Sequence, residues 1–294
     1  MSSYSMWLVE YAFCTTQAVS SLVSGRHNEG QRTVPFSFLV LKGNGHTVAV
    51  DTGHFDEGYA HELTVRLGVD RVKAVPLALR EIGVAGEEVD TVILTHAHYD
   101  HMGGIKAFPN AHFYMQQKEL LDWIKVLALP AQFDFLSAAI DPGDIKNVID
   151  LITRKRLTLI EGPAEHLLPG ISLFPVFDSH TYGLQLVTID DTDSQGRPSP
   201  WVFTSDASYS FENFGPEGTF DLYSPVGYGV GSVTEMVNSL ETIRRLSHNR
   251  LDRLIIPHDQ TMWRRFPTAP TSGGMHVAEI TLADGEPSRL TIGS

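Results

Sequence analysis

The stretch THAHYDHMGG, residues 95–104, decides how this chain is read. It continues VDTVILT, residues 89–95, a short apolar run with the composition of a buried strand. His96 and His98 stand two apart at the end of that strand, so both side chains leave the chain on one side. Asp100 and His101 follow where the chain turns, and Gly103 and Gly104 are expected to let the backbone bend close to whatever is bound. Imidazole and carboxylate donors at this spacing can reach two adjacent cations. The same donors suit zinc, iron, manganese and cobalt, so donor type does not select the ion. A lone histidine is usually a surface or satisfied core residue, which is the expectation for His27, His46, His54, His61, His112, His166, His248 and His276. The combination His-X-His-X-Asp-His should arise by chance in only roughly one or two chains per thousand of this length. For the cluster, metal binding is the better reading.

The rest of the chain bounds that reading. Its 294 residues, 42% of them apolar, can bury a full core, so neither a disulfide nor a structural metal is needed to fold. The single cysteine, Cys14, cannot form an internal disulfide and is expected to be buried and inert, which suggests a reducing compartment. The first basic residue is Arg26, so the N-terminus does not read as a secretory signal. No apolar run approaches the roughly 20 residues of a membrane span. A cytoplasmic protein with no membrane partner is expected. A formal charge of −13 repels phosphate backbones, which argues against a nucleic-acid partner.

Strands dominate both halves, with helices interspersed. PFSFLVLK (35–42), the turn signal GNG (43–45) and HTVAVD (46–51) read as a hairpin, after a mixed segment at 5–13. Helical spacing marks 57–67, 76–82, 118–127 and 232–246, the last being the clearest amphipathic helix. The stretch 117–156 reads as a helical insertion broken at Asp-Pro-Gly; 130–156 could cover the site, and 120–135 could line a pocket, make a dimer contact or, equally, form a core helix. Further strands are expected at 112–115, 157–160, 171–176, 184–189, 201–204 and 253–256, with weaker ones at 277–282 and 289–292. The pattern suggests two sheets packed face to face with helices outside, in one domain over 1–294.

With those elements placed, the His96–Gly104 segment resembles the signature of the metallo-β-lactamase superfamily, an α/β fold built as an αβ/βα four-layer sandwich with one or two metals at one edge. Further pieces follow in the order of that family over about residues 34–260. Asp51-Thr52-Gly53 resembles its early aspartate turn, His180 its third first-site histidine, Asp206 its bridging aspartate and His258 its last histidine. The resemblance implies one ion held by His96, His98 and His180, a second held by Asp100, His101 and His258, and Asp206 shared. Zinc is the leading ion implied, with iron, manganese or cobalt as alternatives. Asp51 is expected to orient a histidine or a turn backbone rather than to ligate.

Within the superfamily, DASYSFENF (206–214) resembles the quorum-quenching N-acyl-homoserine lactonases, in which a tyrosine at the place of Tyr209 reaches the substrate carbonyl. The departures are HTYGLQ (180–185), where Tyr182 replaces a usual proline and Leu184 a usual second histidine, and Tyr99, where phenylalanine is common. They bear on the pocket rim more than on the metal chemistry. The resemblance implies opening of a small lactone by a metal-bridging hydroxide, with Tyr209 stabilising the oxyanion and Asp100 delivering a proton to the leaving oxygen. An arylesterase, phosphotriesterase or thioesterase of the same superfamily is the alternative. A redox di-iron protein is less favoured, because His98 stands where such proteins usually keep a carboxylate. The expected partner is a small lactone or ester; a homodimer is one option among oligomeric states.

Overall fold

The computed structural model of the protein describes residues 3–215 and 219–290. The larger sheet runs, strand by neighbouring strand, Thr268–Pro270, His276–Thr281, Tyr4–Ala18, Gln31–Gly43, His46–Val50, Thr91–Ile93, His112–Gln116 and Leu157–Ile160. Arg71–Val72 pairs with the long first strand outside this path. The smaller sheet runs Leu254–Ile255, Trp201–Phe203, Gln185–Ile189, Ile171–Pro175 and Ala164–Leu168.

The expected hairpin is present. Gly43 pairs with His46 across Asn44 and Gly45, both at positive φ (50° and 83°), the geometry that joins two strands of right-handed twist. The strand 91–93 then lies parallel to 46–50 and to 112–116, so their C-terminal ends, with Asp51 and the histidine segment beyond them, share one edge.

Alternation on these strands explains the layers. Met6, Leu8, Leu39, Leu41, Val48, Val50 and Ile93 point between the sheets, where they meet Ile171, Leu173, Val187, Ile189 and Phe203, which share one face of the smaller sheet. Their neighbours Trp7, Val9, Phe38, Val40, Ala49 and Val92 point the other way. There they pack against Val75, Ala78 and Leu79 of the helix Val75–Arg80, Leu120 and Trp123 of Gln117–Leu127, and Ile145, Val148 and Leu151 of Pro142–Thr153. On the far side, Leu240 and Ile243 of the helix Val233–Leu246 join the cluster that holds the smaller sheet. Helix, sheet, sheet and helix give the metallo-β-lactamase sandwich. Because the larger sheet is covered on both faces, its strands read as continuous apolar runs. For that reason the segment 5–13, which looks mixed as sequence, is the interior of a long strand, Tyr4–Ala18.

Several boundaries differ from expectation. Ala164–Leu168 is a strand with no alternating apolar face to announce it, since it lies at the rim of its sheet and none of its residues is fully buried. Within 117–156, helical turns at Gln117–Leu127, Ala131–Ser137 and Pro142–Thr153 are separated where Pro130 and Pro142 fall. Of the strand expected at 289–292, residues 291–292 lie outside the described residues, and Arg289 and Leu290 are not in a strand. Cys14 is buried, with its Sγ beside Thr16 Oγ1 and the Leu67 carbonyl. Among the described residues no helix is long and apolar enough to cross a membrane.

Asp144, in the first turn of Pro142–Thr153, is buried with Oδ2 lacking a hydrogen-bond partner among the described residues. Burial and then the neighbouring Asp141 push its pKa from the ordinary 3.8 up to about 7. The folded state therefore keeps a proton that the unfolded chain releases, and stability should fall as pH rises from 3.8 to about 7. Asp144→Asn should flatten that part of the profile, as read from urea midpoints across the range. An unchanged slope would mean that Asp144 is ionised in the fold.

Candidate metal centre and substrate cavity

The donors come from loops that leave strand ends at the shared edge. His96 and His98 lie just after Thr91–Ile93, and Asp100 and His101 sit in the short helix Tyr99–Met102. His180 is in the loop between Ile171–Pro175 and Gln185–Ile189, Asp206 in the turn Ser205–Ala207 after Trp201–Phe203, and His258 after Leu254–Ile255. The structure brings all of these sequence-derived candidates together. Their donor atoms form two groups, His96, His98, His180 and Asp206 in one, and Asp100, His101 and His258 in the other.

Asp206 divides its oxygens between the groups. Oδ2 lies 3.5 Å from His96 Nε2 and 3.2 Å from His180 Nε2. Oδ1 lies 3.2 Å from both His101 Nε2 and His258 Nε2. Asp100 Oδ2 is 3.4 Å from His101 Nε2 and 3.8 Å from His258 Nε2. The imidazoles converge on each other as well, with His98 Nδ1 at 3.1 Å from His180 Nε2 and His101 Nε2 at 3.3 Å from His258 Nε2.

Ring nitrogens at such distances repel through their lone pairs unless a proton or a cation lies between them. Donors about 2.0–2.1 Å from a common ion stand roughly 3.3 Å apart in a tetrahedron. His96 Nε2, His98 Nε2 and Asp206 Oδ1 are buried without a hydrogen-bond partner among the described residues. Buried polar atoms left unpartnered are costly, so orphaned donors in an N/O set fit a pair of divalent cations.

The far side of each ring is tied down. His101 Nδ1 donates to Asp51 Oδ2 at 2.8 Å, His180 Nδ1 to the Tyr228 carbonyl at 2.9 Å, and His258 Nδ1 to the Pro35 carbonyl at 2.8 Å. These bonds leave each Nε2 on the side of the centre, where its lone pair would face a bound ion. Asp51 also accepts from Thr95 N–H and Thr95 Oγ1–H, each at 2.8 Å, so it orients both a histidine and the start of the histidine loop. The main-chain acceptors at 35 and 228 carry no sequence signal, because any residue supplies a carbonyl.

Gly103 and Gly104 serve a different purpose from the one expected. A Cβ at Gly104 would lie 2.1 Å from the Thr52 carbonyl oxygen, and one at Gly103 2.7 Å from His54 Cβ. The glycines admit the aspartate turn, not a bound group. His54 itself is a satisfied core residue, between Tyr11 and Tyr99 and bonded to Tyr11 and Thr64. His46, His61 and His276 are paired with Asp90, Asp56 and Glu10.

Charge is distributed unevenly across the cluster. Burial lowers the His96 pKa to about 3 and takes His98 well below the ordinary range, so both rings are neutral donors. Burial works the same way on His101, but the Asp206, Asp100 and Asp51 carboxylates outweigh it and hold its pKa well above the usual value. Burial opposes ionisation of Asp100 too, yet His101 and His258 bring it down to about 2.

Above the cluster lies a cavity of about 310 Å³. His98, Asp100, Asp206, Tyr209 and His258 form its polar side, and Leu22, Val34, Phe36, Leu67, Phe135, Ala138 and Ala139 contribute apolar wall. Among the described residues that line it there is no lysine or arginine. Tyr209 Oη donates to Asp206 Oδ2 at 3.0 Å. Burial, then Asp206 and Asp100, raise the Tyr209 pKa well above its ordinary value, so the phenol keeps its proton. A larger opening of about 720 Å³, beside Phe55, Lys106 and Asp144, includes none of the donor side chains.

Comparison with known proteins agrees with this architecture. Residues 31–176 match the sequence model of the metallo-beta-lactamase superfamily, and the chain carries a domain of that superfamily. It is 24% identical over 258 residues to the N-acyl homoserine lactonase AttM of Azorhizobium caulinodans, covering 81% of this chain and 86% of that one. It is 23% identical over 191 residues to the N-acyl homoserine lactonase AiiB of Agrobacterium fabrum, covering 63% of this chain and 62% of the relative, just under two thirds of its length. Identity is higher but coverage shorter with the anti-Pycsar protein Apyc1 of a Paenibacillus, 46% over 126 residues, which is 42% of this chain and half of that one. Among solved structures, the dizinc quorum-quenching lactonase AidC superposes with a TM-score of 0.65 at 16% identity, covering 97% of both chains. At that identity the likeness speaks to the fold.

If these side chains hold two ions, His98→Ala and Asp206→Ala should each lower metal content well below two equivalents in elemental analysis. Asp206→Ala should disturb both positions, because each of its oxygens faces a different group. Wild-type stoichiometry in the Asp206 variant would remove it as a shared ligand.

Proposed function

We propose that this chain is a dinuclear metal-dependent hydrolase that opens a small neutral lactone, an N-acyl-homoserine lactone or a related ring with an apolar tail. The observation that carries the reading is Asp206, whose two oxygens face separate histidine groups at the floor of an apolar cavity that also holds the Tyr209 hydroxyl. His96, His98 and His180 would hold one ion, Asp100, His101 and His258 the other, and Asp206 would be shared. When bound, such a pair supplies an activated water nucleophile and Lewis-acid polarisation of the carbonyl.

The protein's own groups account for the rest. Apolar walls receive the tail and keep bulk water from it. Tyr209 Oη, protonated at neutral pH, donates a hydrogen bond to the carbonyl oxygen as it gains negative charge. Asp100 lines the cavity as an anion, placed to take a proton from the attacking water and hand it to the ring oxygen. The acyl carbon–ring oxygen bond breaks, water supplies the new carboxyl oxygen, and the product is a hydroxy acid.

The apolar walls of the cavity support a substrate with an apolar tail. Relatives named N-acyl homoserine lactonases support the lactone, and so does a fold neighbour whose crystal structure holds N-hexanoyl-L-homoserine at its catalytic metal centre. Another ester hydrolase of the superfamily is the second reading, since the same cavity admits a neutral aryl ester.

A panel of lactones, aryl esters, phosphotriesters and thioesters, with metal measured in the same samples, separates these readings; turnover of aryl esters without lactones would replace the first by the second. Tyr209→Phe should lower kcat for a lactone by roughly 10–1000-fold with a smaller change in KM. A change in kcat below about twofold would return Tyr209 to packing. Chelation should abolish turnover yet leave the far-UV circular dichroism largely intact, because the two apolar clusters contain no ligand.

A further inference from the structure

Glu119 is a charged residue where the helix Gln117–Leu127 buries its inner face, beside Leu120 and Trp123. A carboxylate buried in that way is costly unless both oxygens are hydrogen-bonded. Here every polar contact is a donor. Oε1 accepts from the Ala97 N–H at 2.8 Å and from Trp123 Nε1–H at 2.8 Å, and Oε2 accepts from the Gly183 N–H.

The positions of those donors matter more than their number. Ala97 is the residue between His96 and His98, and Gly183 lies three residues beyond His180. One side chain therefore grips, through main-chain N–H groups, both loops that supply the imidazoles of the first donor group. The distance it governs is the 3.1 Å approach of His98 Nδ1 to His180 Nε2. Gly183 is shaped to this contact, because a Cβ there would stand 2.4 Å from Glu119 N and 2.6 Å from Glu119 Cβ. Glu119 is not among the residues that line the cavity above the donors, and it belongs to neither donor group.

We propose that Glu119 is a positioning residue for the His96–His98–His180 group, and that its carboxylate sets the separation of the two loops so that their rings converge before an ion arrives. The inference rests on the metal reading above. Neither Ala97 nor Gly183 can ligate through a side chain, so the effect passes entirely through the backbone. Preorganising ligands in this way raises ion affinity without adding a ligand.

Glu119→Gln keeps the size of the side chain but turns one acceptor into an NH₂ group facing a main-chain N–H. Gly183→Ala leaves the carboxylate and forces the contact apart. Metal-free wild type and both variants are titrated with Co²⁺ and with Zn²⁺ against a chelator, with affinities and the visible Co²⁺ spectrum as readouts. Cooperative denaturation of the metal-free proteins reports whether each is folded.

The expected result is a folded variant whose affinity for one of two equivalents is weaker by about 10–100-fold, with an altered Co²⁺ spectrum for that equivalent. The double variant should be no worse than about twofold beyond the weaker single one, since both changes break one contact. A folded variant that binds both equivalents within about twofold of wild type, with an unchanged spectrum, overturns the proposal. So does failure of both variants to fold where the metal-free wild type folds, which would make Glu119 a determinant of the fold alone. Failure of the wild type to take up two ions sinks the metal reading itself, and it shows before any variant is compared.

Discussion

The site depends on a buried carboxylate held among buried imidazoles. Asp206 is almost wholly withdrawn from solvent, and so are His96, His98, His101, His180 and His258. Charge in such a place is costly unless opposite charge or hydrogen-bond donors surround it. The histidines meet part of that need: burial opposes ionisation of Asp206, but His101, His258 and His96 outweigh it and hold its pKa well below the carboxylate range. They do not meet all of it, because Asp206 Oδ1 and the Nε2 atoms of His96 and His98 have no hydrogen-bond partner among the described residues. A fold that gathers these groups must resist their tendency to part.

Resistance comes from the ring of contacts behind the donors. Asp51 Oδ2 accepts from His101, and its two oxygens together hold Thr95, at the point where the parallel strands 46–50 and 91–93 end side by side. The carbonyls of Pro35 and Tyr228 fix His258 and His180 from opposite ends of the chain. Glu119 ties the His96–His98 loop to the His180 loop through their backbones. The Pro35 and Glu119 contacts join loops to a strand and a helix whose own places are set by the apolar layers, so the precision of the site derives in part from the packing beneath it.

The cavity above the donors is partly open on its apolar side. The cavity wall includes Phe135, which is 75% exposed, and Leu67 at the end of the helix Gly58–Leu67. Exposed apolar surface at a cavity mouth suits an apolar tail. The polar side below it is made by the donor cluster and Tyr209. Selectivity for the tail and chemistry at the ring would thus reside in different parts of the chain.

Much of this is legible in the sequence. Period-two alternation, the Asn44–Gly45 turn and the helix starts near Pro76 and Ser232 follow from local stereochemistry, and the His96–His101 spacing is local by nature. His180, Asp206 and His258 could be matched in order only through a resemblance, because nothing within their own neighbourhoods points to a common centre. The partition of Asp206 between two groups, the main-chain carbonyls behind His180 and His258, the packing role of Gly103 and Gly104, and the clamp at Glu119 were decided by tertiary structure alone. A glutamate on an amphipathic helix looks like any solvated charge, and a carbonyl has no letter in the sequence. Local pattern determines which elements form, whereas the meeting of groups far apart along the chain is set by how the layers stack.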